Sequence, residues 1–101
     1  MVASENVHLL TEVRATVDPD RAGDLVAGFE ALLAEPPPEG LLRTELLHAD
    51  NEWRIQTLWR DNNALSSMRA SAEEPAAPRL FRSVGAQPEL TVLEVRASTA
   101  S

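Results

Sequence analysis

The sequence predicts an α+β domain with the ferredoxin-like order βαββαβ: a four-stranded antiparallel sheet with both helices on one face. Three observations carry that prediction. Val7 to Val17 alternates between apolar and polar residues. Residues 22–33 place apolar side chains three and four apart. Leu41 to Trp59 is a pair of alternating runs divided by Asp50-Asn51. Period two marks strands and a period near 3.6 marks a helix.

In the first strand, Val7, Leu9, Thr11, Val13, Ala15 and Val17 share one face, while His8, Leu10, Glu12, Arg14 and Thr16 share the other. Asp18-Pro19 then opens a helix, with Asp as N-cap and Pro at the first helical position. Ala22, Leu25, Val26, Phe29, Leu32 and Leu33 form its apolar stripe. Pro36-Pro37-Pro38 stops it as a stiff connector and Glu39-Gly40 completes the turn. Leu41 to Ala49 and Glu52 to Trp59 are the second and third strands. Asp50-Asn51 makes the hairpin turn, because both residue types tolerate left-handed backbone angles. The register then sets His48 opposite Trp53, Leu46 opposite Ile55, Thr44 opposite Thr57 and Leu42 opposite Trp59, all on one face. Asp61 caps a second helix, Asn62 to Ala70. Ser71 to Pro78 reads as a loop and Arg79 to Val84 as a short helical turn ended by Gly85. Pro88 introduces the last strand, Glu89 to Arg96. Residues 1–6 and 97–101 read as frayed ends of one domain spanning 1–101.

Composition removes several function classes. A chain of 101 residues fits one domain with a modest core, which association would enlarge. Its apolar runs are too short for a membrane span, and MVASENVHLL has no basic region that would make it a signal peptide. With 16 acids against 9 bases, the net charge of −7 argues against nucleic-acid binding. There is no cysteine, so there are no disulfides or thiolate sites; a cytoplasmic location is the default. All nine bases are arginine, which excludes a lysine Schiff base or a phosphate-loop lysine and suits a GC-rich bacterial genome. The two histidines lack spaced acidic partners, a poor pattern for a metal site.

Three segments carry a family resemblance: W-x-I-x-x-L-W-R-D-x-x-A-L (Trp53 to Leu65), P-x-L-F (Pro78 to Phe81) and P-x-L-T-V-x-E-V (Pro88 to Val95). With them the chain resembles the antibiotic biosynthesis monooxygenase family from Val7 to Arg96. The resemblance implies a dimeric α+β barrel with a pocket between sheet and helices. It also implies a cofactor-independent monooxygenase acting on an aromatic, polyketide-type small molecule in secondary metabolism, without metal or flavin. Trp59 matches the strand-end tryptophan of that family. The anthrone-type oxygenases carry an asparagine four residues earlier, where this chain has Ile55. A common glutamate two residues earlier is Thr57 here. Haem-degrading members use a histidine on the following helix; Asn62 to Ala70 has none.

Candidate site residues emerge from these patterns. Trp59 is either a pocket wall offering stacking area and an N–H donor, or a core residue under the second helix. His48, on the face of Trp53, is a possible general base at neutral pH, or a bystander. Thr44 and Thr57 form a polar cross-strand pair beside Ile55 and Trp53. Phe29, Met68 and Phe81 either close the cavity from the helix side or belong to the core, and Arg82 is either a contact for a ligand carboxylate or phenolate or a solvated surface arginine. Three functions are compatible with this set: the oxygenase, a non-oxidative cyclase or isomerase (Ile55 in place of asparagine leans this way), and a non-catalytic dimeric binding protein. Leu10, Leu47 and Leu58 on the opposite sheet face suggest a homodimer packed sheet to sheet.

Overall fold

A computed structural model describes residues 7–70 and 74–97 of the chain. Strands β1 (Leu9–Thr16), β2 (Leu41–Ala49), β3 (Glu52–Trp59) and β4 (Glu89–Glu94) form one antiparallel sheet in the order β2-β3-β1-β4. Helices α1 (Ala22–Leu33), α2 (Asn62–Arg69) and α3 (Ala76–Ser83) complete an α+β, ferredoxin-like fold. Of the chain ends expected to fray, 1–6 and 97–101, all but Ala97 lie outside the described residues, as do loop residues 71–73.

The alternation of β1 is obeyed: Leu9, Thr11, Val13, Ala15 and Val17 are buried against the helices. Asp18 acts as the expected cap, accepting a bond from the Asp20 N–H at 2.9 Å. That cap opens a short 3-10 turn, Pro19–Arg21, and the α-helix begins at Ala22. Leu25 and Phe29 carry the buried stripe of α1, but Leu33 is 55% exposed.

The hairpin turn is at Asp50-Asn51, with Asp50 at φ +57°. His48 pairs with Trp53, Leu46 with Ile55 and Thr44 with Thr57. The fourth expected pair is displaced. Leu41, not Leu42, lies opposite Trp59, because an irregularity between Leu41 and Arg43 inserts one extra residue into β2. Leu41 therefore packs inward beside Trp59, and Leu42 is left half exposed. The second correction concerns α3, which starts at Ala76 rather than Arg79 and so includes Pro78. Proline is tolerated there because first-turn N–H groups have no intrahelical acceptor anyway. Its C-terminus is a Schellman cap: the Gly85 N–H bonds the Arg82 carbonyl and the Ala86 N–H bonds the Phe81 carbonyl, both at 3.0 Å.

The core divides into two clusters. One gathers Val13, Val17, Leu25, Phe29, Ile55 and Phe81 with their neighbours. The other holds Leu9, Trp59, Ala64 and Leu65 under α2. Each fully buried large side chain, such as Phe81 or Leu25, contributes roughly 1.5–3 kcal/mol by removing apolar surface from water.

Candidate functional site

A row of threonines separates the two core clusters. Thr57 on β3 pairs with Thr11 on β1 and with Thr44 on β2, so three hydroxyls cross the inner face of the sheet side by side. They occupy the position between Val13–Ile55 and Leu9–Trp59 where a continuous core would place aliphatic groups. A cavity of about 150 Å³ lies over this row. Its floor is Thr11, Thr44, Thr57, Ile55 and Trp59; Phe29 and Leu32 of α1, Met68 and Arg69 of α2 and residues 75–78 at the start of α3 close over it. Leu33, Pro38 and Leu90 also line it and are exposed, so they mark where it opens. A cavity of this size takes about one benzene ring.

Six of the ten residues singled out from the sequence meet here: Phe29, Thr44, Ile55, Thr57, Trp59 and Met68. Trp59 is turned inward and only 3% exposed. Its Nε1–H donates to Thr11 Oγ1 at 3.2 Å, so the indole presents its ring, not its donor, to the cavity. Thr44 and Thr57 are hydrogen-bonded through their hydroxyls at 2.9 Å.

The other four lie elsewhere. His48 is exposed near the hairpin turn, stacked on Trp53 at 4.0 Å between ring centroids and 15° between planes. Its Nε2 contacts the Asp50 carbonyl. Outside the cavity lining, it has no route to a substrate proton there. Trp53 belongs to the first core cluster and serves as the platform for His48. Phe81 is fully buried in that same cluster. Arg82 faces away and pairs with Glu74. The strand period sets His48 and Trp53 on one face of the sheet; their distance along β2 and β3 removes them from the site, and Phe81 and Arg82 are removed by their place on α3.

Among the polar lining residues, two were not foreseen. Thr11 sat on the inward face of the first strand, a signal available from its alternation, but its pairing with Thr57 came from the register of β1 against β3. Arg69 ends α2 one residue beyond Met68, and its place on the cavity wall comes from tertiary packing alone. No carboxylate or imidazole lines the cavity among the described residues. The two groups with displaced protonation lie outside it. Asp61 is held below the usual carboxylate range by the Ala64 N–H and, less strongly, by Arg60. Arg54 is held above its ordinary value by Glu52 and Glu12 on the outer face of the sheet.

No protein-family model and no curated protein matches the sequence. Solved structures do match the fold. The cofactor-independent oxygenase SnoaB from Streptomyces nogalater, as an asparagine-to-alanine variant, superposes with a TM-score of 0.67 at 22% identity, over 93% of this chain and 98% of its own. A Nitrosomonas europaea protein of unknown function, NE2512, gives 0.73 at 14% identity over 96% and 97%. An antibiotic biosynthesis monooxygenase gives 0.62 at 15% identity over 90% and 99%. The chain therefore has the fold of the antibiotic biosynthesis monooxygenases.

Proposed function

We propose that this chain is a homodimeric oxygenase that works without a cofactor on an aromatic, polyketide-like molecule bound over the threonine row. The observation that carries the reading is the cavity itself: an apolar chamber with one indole wall and hydroxyls confined to its floor. Such a lining suits a flat, largely apolar ring bearing an oxygen substituent. The fold shared with SnoaB supports the oxygenase chemistry.

In this reading the bound ring ionises to a phenolate or enolate and gives an electron to dioxygen. Recombination forms a carbon–oxygen bond. Loss of water then leaves a new carbonyl: a ring CH2 becomes C=O, one oxygen atom enters the product, and the other departs with both hydrogens as water. The four electrons removed from carbon equal the four taken up by O2, so no external reductant is required. With His48 outside the cavity, the proton leaves by the substrate's own acidity, to water at the mouth. Trp59 stacks on the ring and fixes its orientation.

The test is oxygen uptake with a panel of anthrone- and naphthol-type phenols, followed by mass analysis of product formed under 18O2. One 18O atom per product and one O2 per turnover are expected. The Trp59→Phe variant should turn over at least about tenfold more slowly, since loss of orientation is costly; an undiminished rate contradicts the role given to the indole. A non-oxidative cyclase or isomerase is the second reading, favoured by Ile55, which gives the cavity floor an apolar side chain. Turnover under anaerobic conditions would select it. Binding without turnover would leave a ligand-carrying protein.

A further inference from the structure

Each hydroxyl of the cavity floor makes one hydrogen bond among the described residues, and two of their protons have no acceptor there. Thr11 Oγ1 already accepts the Trp59 N–H, so its own proton must find a different partner. Thr44 and Thr57 share a single bond, in which either can be donor; whichever donates, the proton of the other is unspent. These are the hydrogen bonds that the three hydroxyls make among the described residues. Thr11 and Thr57 are each 7% exposed, and a buried donor left unpaired is costly. The row is therefore rich in donors and turned towards an otherwise apolar chamber.

The cavity wall also carries a cation. Arg69 lines the wall and is exposed, so it stands where the chamber meets solvent. Arg14, Arg21, Arg43, Arg54, Arg60, Arg82 and Arg96 all have carboxylate partners, and Arg79 also has a partner. Arg69 is the one arginine without a partner among the described residues, in a chain with 16 acids. A cation at a helix C-terminus is favourable in its own right, so the charge alone carries nothing; its position on the cavity wall does.

The geometry points to a ligand with two oxygen functions at opposite ends. A carbonyl or phenolate oxygen accepts from the threonine row in the depth of the cavity. An anionic group, a carboxylate in the simplest case, is clamped by the Arg69 guanidinium at the mouth. The volume agrees, because a chamber of about 150 Å³ houses roughly one ring and the remainder of a larger ligand extends to the mouth, where Arg69 is exposed with Leu33, Pro38 and Leu90. This assignment rests on the small-molecule reading and adds to it the polarity and orientation of the substrate.

Titration calorimetry with three probes of one shape tests it: tetralin, 1-tetralone and 4-oxotetralin-1-carboxylate. The ketone should bind about tenfold more tightly than the hydrocarbon. The carboxylate should add about tenfold more at low salt, a gain that is screened as salt rises. Thr11→Val and Thr57→Val should each reduce the ketone's advantage, while Thr11→Ser keeps it; circular dichroism establishes that each variant is folded, and the serine form serves if the valine forms are not. Arg69→Gln should abolish the carboxylate's advantage and its salt dependence. Tetralin binding as tightly as the ketone, or advantages that persist in the variants, overturns this inference and leaves the small-molecule reading standing. Failure of all three probes to bind overturns both.

Discussion

Gly40 and Gly85 both adopt positive φ, +86° and +79°, yet their surroundings differ. A Cβ on Gly85 would meet nothing within 4 Å, whereas one on Gly40 would lie 2.3 Å from the Cβ of Ala64. Gly40 is where the chain entering β2 passes under the start of α2, and its carbonyl takes the Arg60 N–H at 2.8 Å. Alanine at Gly85 costs only the left-handed backbone, about 1 kcal/mol. At Gly40 the same strain is joined by a contact with a buried methyl group that cannot yield without moving α2. We therefore expect Gly40→Ala to cost about 3 kcal/mol, with urea unfolding as the measurement; equal losses at the two glycines would show that the close approach to α2 is not rigid. The turn role of both glycines was legible in the sequence, and the contact with Ala64 was not. The same limit applies at the site. Thr44 and Thr57 could be paired by counting from the hairpin, but the link to Thr11 needed the register of β1 against β3, which no turn connects directly. His48 was placed on the correct face and at the wrong end, because period two gives the side of a strand and says nothing about where a cavity lies along it.

At the scale of elements, α2 depends on its cap. The Asp61 side chain accepts the Ala64 N–H at 2.9 Å, and this bond is the main reason its carboxyl titrates below the usual range. A folded-state pKa below the unfolded one contributes stability that is fully present above the unfolded value, near pH 4, and fades as pH falls through the folded value. Thermal melts should therefore show Asp61→Ala less stable than the parent at pH 7, with the gap narrowing below about pH 4. Asp61→Asn, still a good cap, should melt close to the parent at pH 7 and remove most of the pH dependence of the difference. A gap that stays constant down to about pH 2.5, well below the ordinary carboxylate range, would mean that the carboxylate charge plays no part in the cap. Local signals of this kind made most elements readable: the Asp61 cap, the Asp50-Asn51 turn and the glycine at the end of α3 all act within a few residues. The register at the start of β2 and the start of α3 escaped for physical reasons. Leu41 and Leu42 satisfy an inward position equally well, so nothing local reveals which of them the irregularity in β2 turns out. Pro78 read as the last residue of a loop because its tolerance in a first turn depends on where the helix begins.

For the whole molecule, the decisive feature is the sheet face that no helix covers. Leu10 pairs with Leu58 on one side and Leu93 on the other, so three leucines lie in a row across β3, β1 and β4 on the outer face. Leu93 is 43% exposed. The adjoining part of the face is charged but internally paired: Glu12 accepts from Arg54 at 3.2 Å and from Gln56 at 2.9 Å. Covering it would leave few charges without partners, which lowers the desolvation penalty. This is the surface through which the proposed homodimer would pack, sheet against sheet. In a two-fold interface every substitution appears twice, so Leu93→Glu sets two carboxylates into one apolar contact. Sedimentation should show the parent chain as a dimer at micromolar concentration and Leu93→Glu as a monomer, with association weakened at least about a hundredfold. Leu33→Glu changes another exposed leucine, at the cavity mouth on the helix side, and should sediment like the parent. A parent chain that remains monomeric up to high micromolar concentration would refute the dimer without touching the cavity, since every residue of the cavity belongs to a single chain.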